Sequence, residues 1–209
     1  MPSLQWQVVL MLVAGLLAEG PVTRAQTDAE ILVAAMQDGG KVIYMRHAAT
    51  NQNEVDTGRL GDRAGQRNLS AAGIAQAKAL GDAFRSLQIP MGEILTSPVF
   101  RARDTGELAF GERVQVTMDL VADDYAGQNV AAMINATRRL LRTLTPSGDN
   151  RILIGHRTPL EMVLQRSFPD TVLPEGAMAV FVPAGPSNEP RLLGTIAAER
   201  LIRSATVRR

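Results

Sequence analysis

Short apolar runs alternate along this chain with longer stretches whose apolar positions recur every three or four residues. "KVIYM" (41–45), "EILTS" (93–97), "RVQVTM" (113–118), "RILIG" (151–155), "MAVFVP" (178–183) and "RLLGTIAAERL" (191–201) read as strands. Between them, "SAAGIAQAKALGDAFRSL" (70–87) carries Ile74, Ala77, Leu80, Gly81, Phe84 and Leu87 at helical spacing, with Ser70 placed to cap the start. "SPVFRARDTGELAFG" (97–111) predicts a helix with Ser97 as N-cap, Pro98 at the first helical position and Gly111 just past the end. Val130, Met133, Ile134, Thr137, Leu140, Leu141 and Leu144 form a third helical stripe, with Arg138, Arg139 and Arg142 on a solvated face beside it. "TPLEMVLQRSF" (158–168) gives a fourth helix. Strands alternating with helices predict an α/β fold with helices on both faces of a mostly parallel sheet, a three-layer α/β/α sandwich.

The first 25 residues follow another pattern. Residues 8–18 are an apolar run broken only by Gly15, too short to span a membrane comfortably. Gly20-Pro21 then breaks the helix, and Thr23 and Ala25 supply the small residues that precede a signal cleavage site. The expected organisation is a cleaved secretory signal over 1–25 and a single domain over 26–209, located in the periplasm or secreted. No Lys or Arg precedes the apolar run, and an uncleaved N-terminal anchor is the alternative. Cleavage would remove Glu19 and Arg24, one charge of each sign, so the net charge stays at +1.

At 209 residues the chain is long enough for one sizeable core. A net charge of +1 argues against a dedicated nucleic-acid binder, whose affinity rests on many phosphate contacts. With no cysteine the chain has neither a disulfide framework nor a thiolate nucleophile. Its two histidines, without clustered cysteines or a His-x-x-x-His helix, make a thin ligand set for a metal. No cofactor is expected, and no stable membrane association after signal cleavage; oligomeric state is not written in the pattern.

Both histidines stand where chemistry is expected. His47 follows the strand at 41–45 and His156 follows the strand at 151–155. In open α/β sheets, sites form beyond the carboxyl ends of the strands. If both strands are central and parallel, the two imidazoles share one crevice, with Ser97 and Arg101 on its rim. Such a rim suits a phosphoryl group. Arginine forks from Arg46 and Arg101 satisfy its equatorial oxygens, and a neutral imidazole can attack phosphorus to form a phosphohistidine.

These residues resemble the histidine phosphatase superfamily, the phosphoglycerate-mutase-like group. "RHAATNQN" is similar to its Arg-His-Gly-x-x-Thr-x-x-Asn signature at Arg46, His47, Thr50 and Asn53, with Ala48 in place of the usual glycine. "NLSAAGIAQAKALG", "TSPVFRARDT" and "LIGH" resemble three further blocks in family order, and together the four cover residues 41–164. The resemblance implies a phosphoglycerate-mutase-like fold and a small phosphorylated substrate. His47 would accept the phosphoryl group in a pocket of Arg46, Arg101 and His156, and Asn53 and Thr50 would contact phosphate or substrate. Arg157 stands where other relatives carry aspartate after the second histidine, which implies branch 1. The resemblance also implies a carboxylic acid that protonates the leaving oxygen. Asp123 is the first candidate and Asp124 the second, with Glu54, Asp56 and Glu161 behind them; for the Asp pair, helix capping is an equal alternative. Arg63 and Arg67 read as a solvated loop or as a substrate entrance.

The function that follows is an exported phosphate monoester hydrolase. A phosphohistidine-protein phosphatase and a catalytically silent module binding phosphate or sugar phosphate are the alternatives. Residues 57–66 and 123–128 are the loops from which substrate choice would come.

Overall fold

The computed structural model describes residues 28–146 and 148–207. The expected signal segment lies outside them. A six-stranded sheet forms the middle of the molecule, built from β1 (Val42–Arg46), β2 (Met91–Thr96), β3 (Val114–Val116), β4 (Asn150–Gly155), β5 (Met178–Val182) and β6 (Arg191–Ile196) in the order β3-β2-β4-β1-β5-β6. β1, β2, β3 and β4 are mutually parallel where they pair, while β5 runs antiparallel to both β1 and β6. The sheet is thus mixed, with a parallel half that carries the crossovers and an antiparallel edge.

Alternation along the strands sorts the core into two layers. Ile43 and Met45 of β1, Ile152 and Ile154 of β4 and Met178 and Val180 of β5 point to one face. That face is covered by α1 (Asp28–Gln37), α2 (Ala71–Ser86), α3 (Phe100–Phe110) and α7 (Ala198–Val207), which contribute Met36, Phe84, Phe110 and Leu201. Val42, Tyr44, Leu153, Ala179 and Phe181 point the other way, against Leu141 of α5 (Val130–Arg142) and Leu160 and Val163 of α6 (Arg157–Leu164). Both faces of the central strands are dry, as runs without polar alternation require. This is the three-layer sandwich that the pattern predicts.

Four details differ from the sequence reading. Ser97 and Pro98 lie outside α3, which starts at Phe100 behind Val99; Ser97 accepts a hydrogen bond from the Val99 amide, and the Gln66 side chain accepts from the Phe100 amide. "RLLGTIAAERL" is not one strand: β6 ends at Ile196 and α7 starts at Ala198, where Leu201 and Ala205 recur at helical spacing toward the core. Ile74 and Leu144, expected on the apolar stripes, are exposed. α1 was not anticipated; its buried face of Leu32, Val33 and Met36 is short.

Candidate active site

β1, β4 and β2 are neighbours, and their carboxyl ends lie together. The register pairs Arg46 with Gly155 and Thr96 with Ile154. One residue further along, His47 and His156 therefore stand side by side, with ring centroids 5.5 Å apart. Ser97 completes the row, its hydroxyl 2.9 Å from His156 Nε2. The chain leaves β1 for β2, passes to β3 and returns through α5 to insert β4 between β1 and β2. That return makes the crevice, as a topological switch point does in doubly wound sheets.

Each histidine is fixed from behind. The His47 amide donates to the Gly155 carbonyl at 3.0 Å, and its own carbonyl accepts from the Gly176 amide at 2.8 Å. His47 Nδ1 lies 2.9 Å from the Ala48 carbonyl oxygen. A carbonyl only accepts, so Nδ1 carries the proton and Nε2 keeps its lone pair. The Ala48 amide donates to Thr105 Oγ1, which donates onward to the Arg101 carbonyl, and the Ala48 methyl packs with Leu69 and Ala77. Its extra methyl relative to glycine therefore sits in the core rather than in the cleft. His156 is clamped by Tyr44, whose hydroxyl donates to the His156 carbonyl and accepts from its amide. Burial pushes that phenol above its ordinary pKa, so it remains a donor. A Cβ on Gly155 would stand 2.3 Å from the Tyr44 hydroxyl, so the clamp requires glycine there. Gly73 does the same for the loop after His47: a Cβ on it would stand 1.8 Å from the Ala49 carbonyl oxygen, and its absence lets α2 close on that loop.

The cleft above the histidines has a volume of about 240 Å³ and is lined by Arg46, Asp56, Arg67, Arg101, Asp123, Asp124, Arg157 and Thr158 besides them. Burial pushes both imidazoles well below their ordinary pKa, and Arg101, Arg46 and Arg67 push in the same direction. Both rings are thus neutral at neutral pH. Asp124 is shifted the other way: burial raises its carboxyl, helped by Asp56 and Asp123 and opposed by Arg101, whose Nη2 lies 3.9 Å from Asp124 Oδ2. Neither Asp caps α4 (Asp123–Ala126) by the usual geometry, since the N-cap position is Ala122. Both nevertheless stand in its first turn, where a carboxylate complements the helix dipole, so that part of the alternative reading of the pair keeps its footing.

The donor inventory of the cleft is unusual. Seven buried side-chain nitrogen or oxygen atoms among the described residues lack a hydrogen-bond partner, and five belong to residues lining this cleft: Nε of Arg46, Arg67, Arg101 and Arg157, and Nδ1 of His156. The arginine atoms are N–H donors. His156 Nδ1 joins them when the Ser97 hydroxyl donates to Nε2, a direction left open because Ser97 Oγ already accepts from Val99. Buried donors without acceptors are rare, and a set converging on one cleft suits a ligand that only accepts. A metal ion is disfavoured by the same arginines, and no group of three or more His, Cys, Asp or Glu among the described residues could hold one.

Of the residues singled out in the sequence, Arg46, His47, Arg101, His156 and Asp123 meet in this cleft. Thr50 and Asn53 do not line it. The Thr50 amide and hydroxyl donate to Glu175 at 3.1 and 2.7 Å, and Asn53 is exposed on the following loop. Arg67, weighed above as solvated, is half-buried and in the cleft, whereas Arg63 pairs with Asp104 outside it. Sequence reasoning missed Tyr44, Asp170 and Glu175. The signal for Tyr44 was present, a polar atom in an otherwise apolar strand. A roomier hollow of about 560 Å³ lies beyond Tyr125, lined by Met118, Met133 and Arg139 among others; it holds no histidine and none of the unpartnered donors.

The sequence over residues 42–125 matches the profile of the histidine phosphatase superfamily (branch 1). Nothing matches among curated protein sequences. Solved structures with the same fold include the protein histidine phosphatase SixA complexed with tungstate, at 15% identity and a TM-score of 0.50, covering 77% of this chain and 99% of that one. A phosphoserine phosphatase mutant from Entamoeba histolytica in complex with phosphoserine superposes at 15% identity and a TM-score of 0.51, covering 77% and 98%. A phosphoserine phosphatase with 3-phosphoglyceric acid, from the same organism, does so at 16% and 0.50, covering 77% and 98%. The matched segment holds the first strand, the first histidine and both cleft arginines of the Arg-His and Ser-Pro-x-x-Arg blocks, so the similarity to the histidine phosphatase superfamily, branch 1, falls on the residues that build the cleft.

Proposed function

We propose that this protein is an exported phosphatase that hydrolyses phosphate monoesters through a phosphohistidine on His47. The observation that carries the reading is the convergence of buried, unpartnered N–H groups on one small cleft beside an imidazole whose Nε2 is unprotonated. A phosphoryl dianion accepts from all of them and donates to none.

In the first displacement the His47 Nε2 lone pair forms a bond to phosphorus as the bond to the ester oxygen breaks. Arg46 and Arg101 stabilise charge on the equatorial oxygens, and His156 donates from Nδ1. The departing oxygen takes its proton from a carboxylic acid. The sequence favours Asp123; the raised pKa favours Asp124, and the second residue is the better donor on that ground. In the second displacement water attacks the phosphohistidine, the same carboxylate takes the water proton, and inorganic phosphate leaves with His47 restored.

Export is part of the proposal and rests on the sequence pattern of residues 1–25.

Rapid quench of the enzyme with ³²P-labelled substrate tests the chemistry. Acid-labile, base-stable label is expected on His47, with label and turnover both lost in His47→Ala. Label that persists in that variant would falsify the assignment.

A further inference from the structure

Arg101 and Arg46 are held in the same way. Arg101 Nη1 donates to both oxygens of Asp56 at 2.9 Å, Nη2 is 3.9 Å from Asp124, and Nε has no partner. Arg46 Nη1 donates to Asp170 at 2.5 Å and to the Leu173 carbonyl at 2.8 Å, Nη2 is 3.9 Å from Glu175, and Nε again has no partner. A guanidinium offers its side-on fork through Nε and Nη2, which point the same way. In both arginines a carboxylate grips Nη1 and leaves that fork unspent.

The two carboxylates differ in how firmly they are themselves held. Asp170 is largely exposed and shared between Arg46 and Arg157. Asp56 is largely buried and also accepts from the Tyr125 hydroxyl at 2.6 Å and the Arg67 amide at 3.0 Å. Burial alone would raise its pKa, but Tyr125, Arg67 and Arg101 outweigh burial and hold the carboxyl below its ordinary value. The anion is therefore permanent at neutral pH. It joins three parts of the site: Arg101 on α3, Arg67 at the end of the loop over the cleft, and Tyr125 on α4 beside the candidate acids.

We infer that Asp56 is a positioning residue, which turns the Nε–Nη2 fork of Arg101 toward the phosphoryl group and ties that arginine through Tyr125 to the helix carrying Asp123 and Asp124. The opposite role, a carboxylate that occupies the anion's place and must be displaced, would need Asp56 on the fork. It sits on Nη1 instead. The inference rests on the phosphatase reading above, because it assigns the fork to a phosphoryl group.

Asp56→Asn removes the charge while keeping the size. kcat/KM on a phosphate monoester should fall about a hundredfold, the usual cost of a small misplacement of a group acting on the transition state. Vanadate, which mimics the five-coordinate phosphorus, should lose affinity by a similar factor and inorganic phosphate by much less. Asp56→Glu should recover part of the loss. Tyr125→Phe, which keeps the ring and removes only the hydroxyl, should move vanadate inhibition the same way by a few-fold. Tighter binding of phosphate or vanadate by Asp56→Asn would overturn the inference in favour of a competing carboxylate. So would a lowered melting temperature with vanadate inhibition unchanged, which marks a purely structural role. A wild-type enzyme that labels His47 beside an unaffected Asp56→Asn defeats the positioning role alone; a wild type that neither labels nor binds vanadate defeats the phosphatase reading with it.

Discussion

His47 and His156, on the floor of the cleft, are held by backbone hydrogen bonds and by a buried tyrosine; Asp56, on its rim, is held by the side chains of Arg101 and Tyr125 and by the Arg67 amide, and Asp124 stands 3.9 Å from Arg101. The floor is the end of three strands in register, and neither histidine moves without disturbing the sheet. The rim is the loop 51–67 and the single-turn α4, with Val55 and Leu60 exposed to solvent. On the proposed reading, chemistry common to every phosphate ester is built into the stiff part, and the part that would meet the rest of the substrate is built from ion pairs and exposed loop, which tolerate change. Substitutions that separate floor from rim test this division.

The largest effect after loss of His47 itself is expected at the arginine forks. Arg46→Ala and Arg101→Ala should each lower kcat/KM by about 10²–10³, the usual cost of removing one donor aimed at developing charge. Lysine should rescue neither, since it keeps the charge and loses the side-on fork. The losses should be alike for every phosphate ester tested, because both arginines serve the phosphoryl group. Activity should survive a chelator and yield to vanadate. Steady-state kinetics on an ester panel checks this, and a loss confined to one substrate would move that arginine from floor to rim.

The histidines, the arginines and the α/β/α layering were legible in the sequence because each rests on local pattern. A strand followed by Arg-His, or a proline-started helix carrying arginine, announces its place in a parallel sheet before any contact is known. What holds them was not legible. Asp56 was one of several acids in a polar loop, and only folding brings it to Arg101 from 45 residues away. Asp170 reaches Arg46 across 124 residues. Ser97 was misassigned as a cap because serine before proline signals a helix start; in the fold its hydroxyl is bound to His156. Arg67 reads from sequence as solvated more readily than as part of a site, since the sequence does not show which arginines in a glycine-rich loop turn inward.

A smaller, more selective effect belongs to the acid on the rim. Proton donation matters when the departing oxygen is basic and hardly at all for p-nitrophenyl phosphate. Asp124→Asn should therefore lose about 10² on an alkyl or sugar phosphate and little on the aryl ester. The pH profile sharpens the assignment. His47, with its pKa lowered, stays neutral and nucleophilic into mildly acidic solution. Asp124, with its pKa raised, stays protonated further toward neutrality than an ordinary carboxyl. kcat/KM on an alkyl phosphate should thus rise as pH climbs through the His47 value and fall as pH climbs through the Asp124 value. Asp124→Asn should abolish the falling limb and keep the rising one. If Asp123→Asn does so instead, the first expectation from sequence is restored.

The smallest effects are expected at Thr50 and Asn53, which share one motif and meet opposite surroundings. Thr50 Oγ1 donates to Glu175, which is mostly buried and 3.9 Å from Arg46 Nη2. Thr50→Val keeps the shape and removes that bond, leaving Glu175 with one donor fewer. Hydrogen bonds to charged groups contribute about 1.5–3 kcal/mol, and the lower value is expected because the Thr50 amide still donates to the same carboxylate. Activity should fall only a few-fold, through a less settled Arg46. Asn53 is exposed, with its side chain off the cleft. Asn53→Ala should change stability by less than about 0.5 kcal/mol, as surface substitutions do. It should also leave kcat/KM for small esters within about twofold. Thermal denaturation and kinetics on the two variants, run together, separate the cases. A tenfold loss in Asn53→Ala would show that the loop 51–67 closes on bound substrate and that the rim is less independent of the floor than its contacts imply.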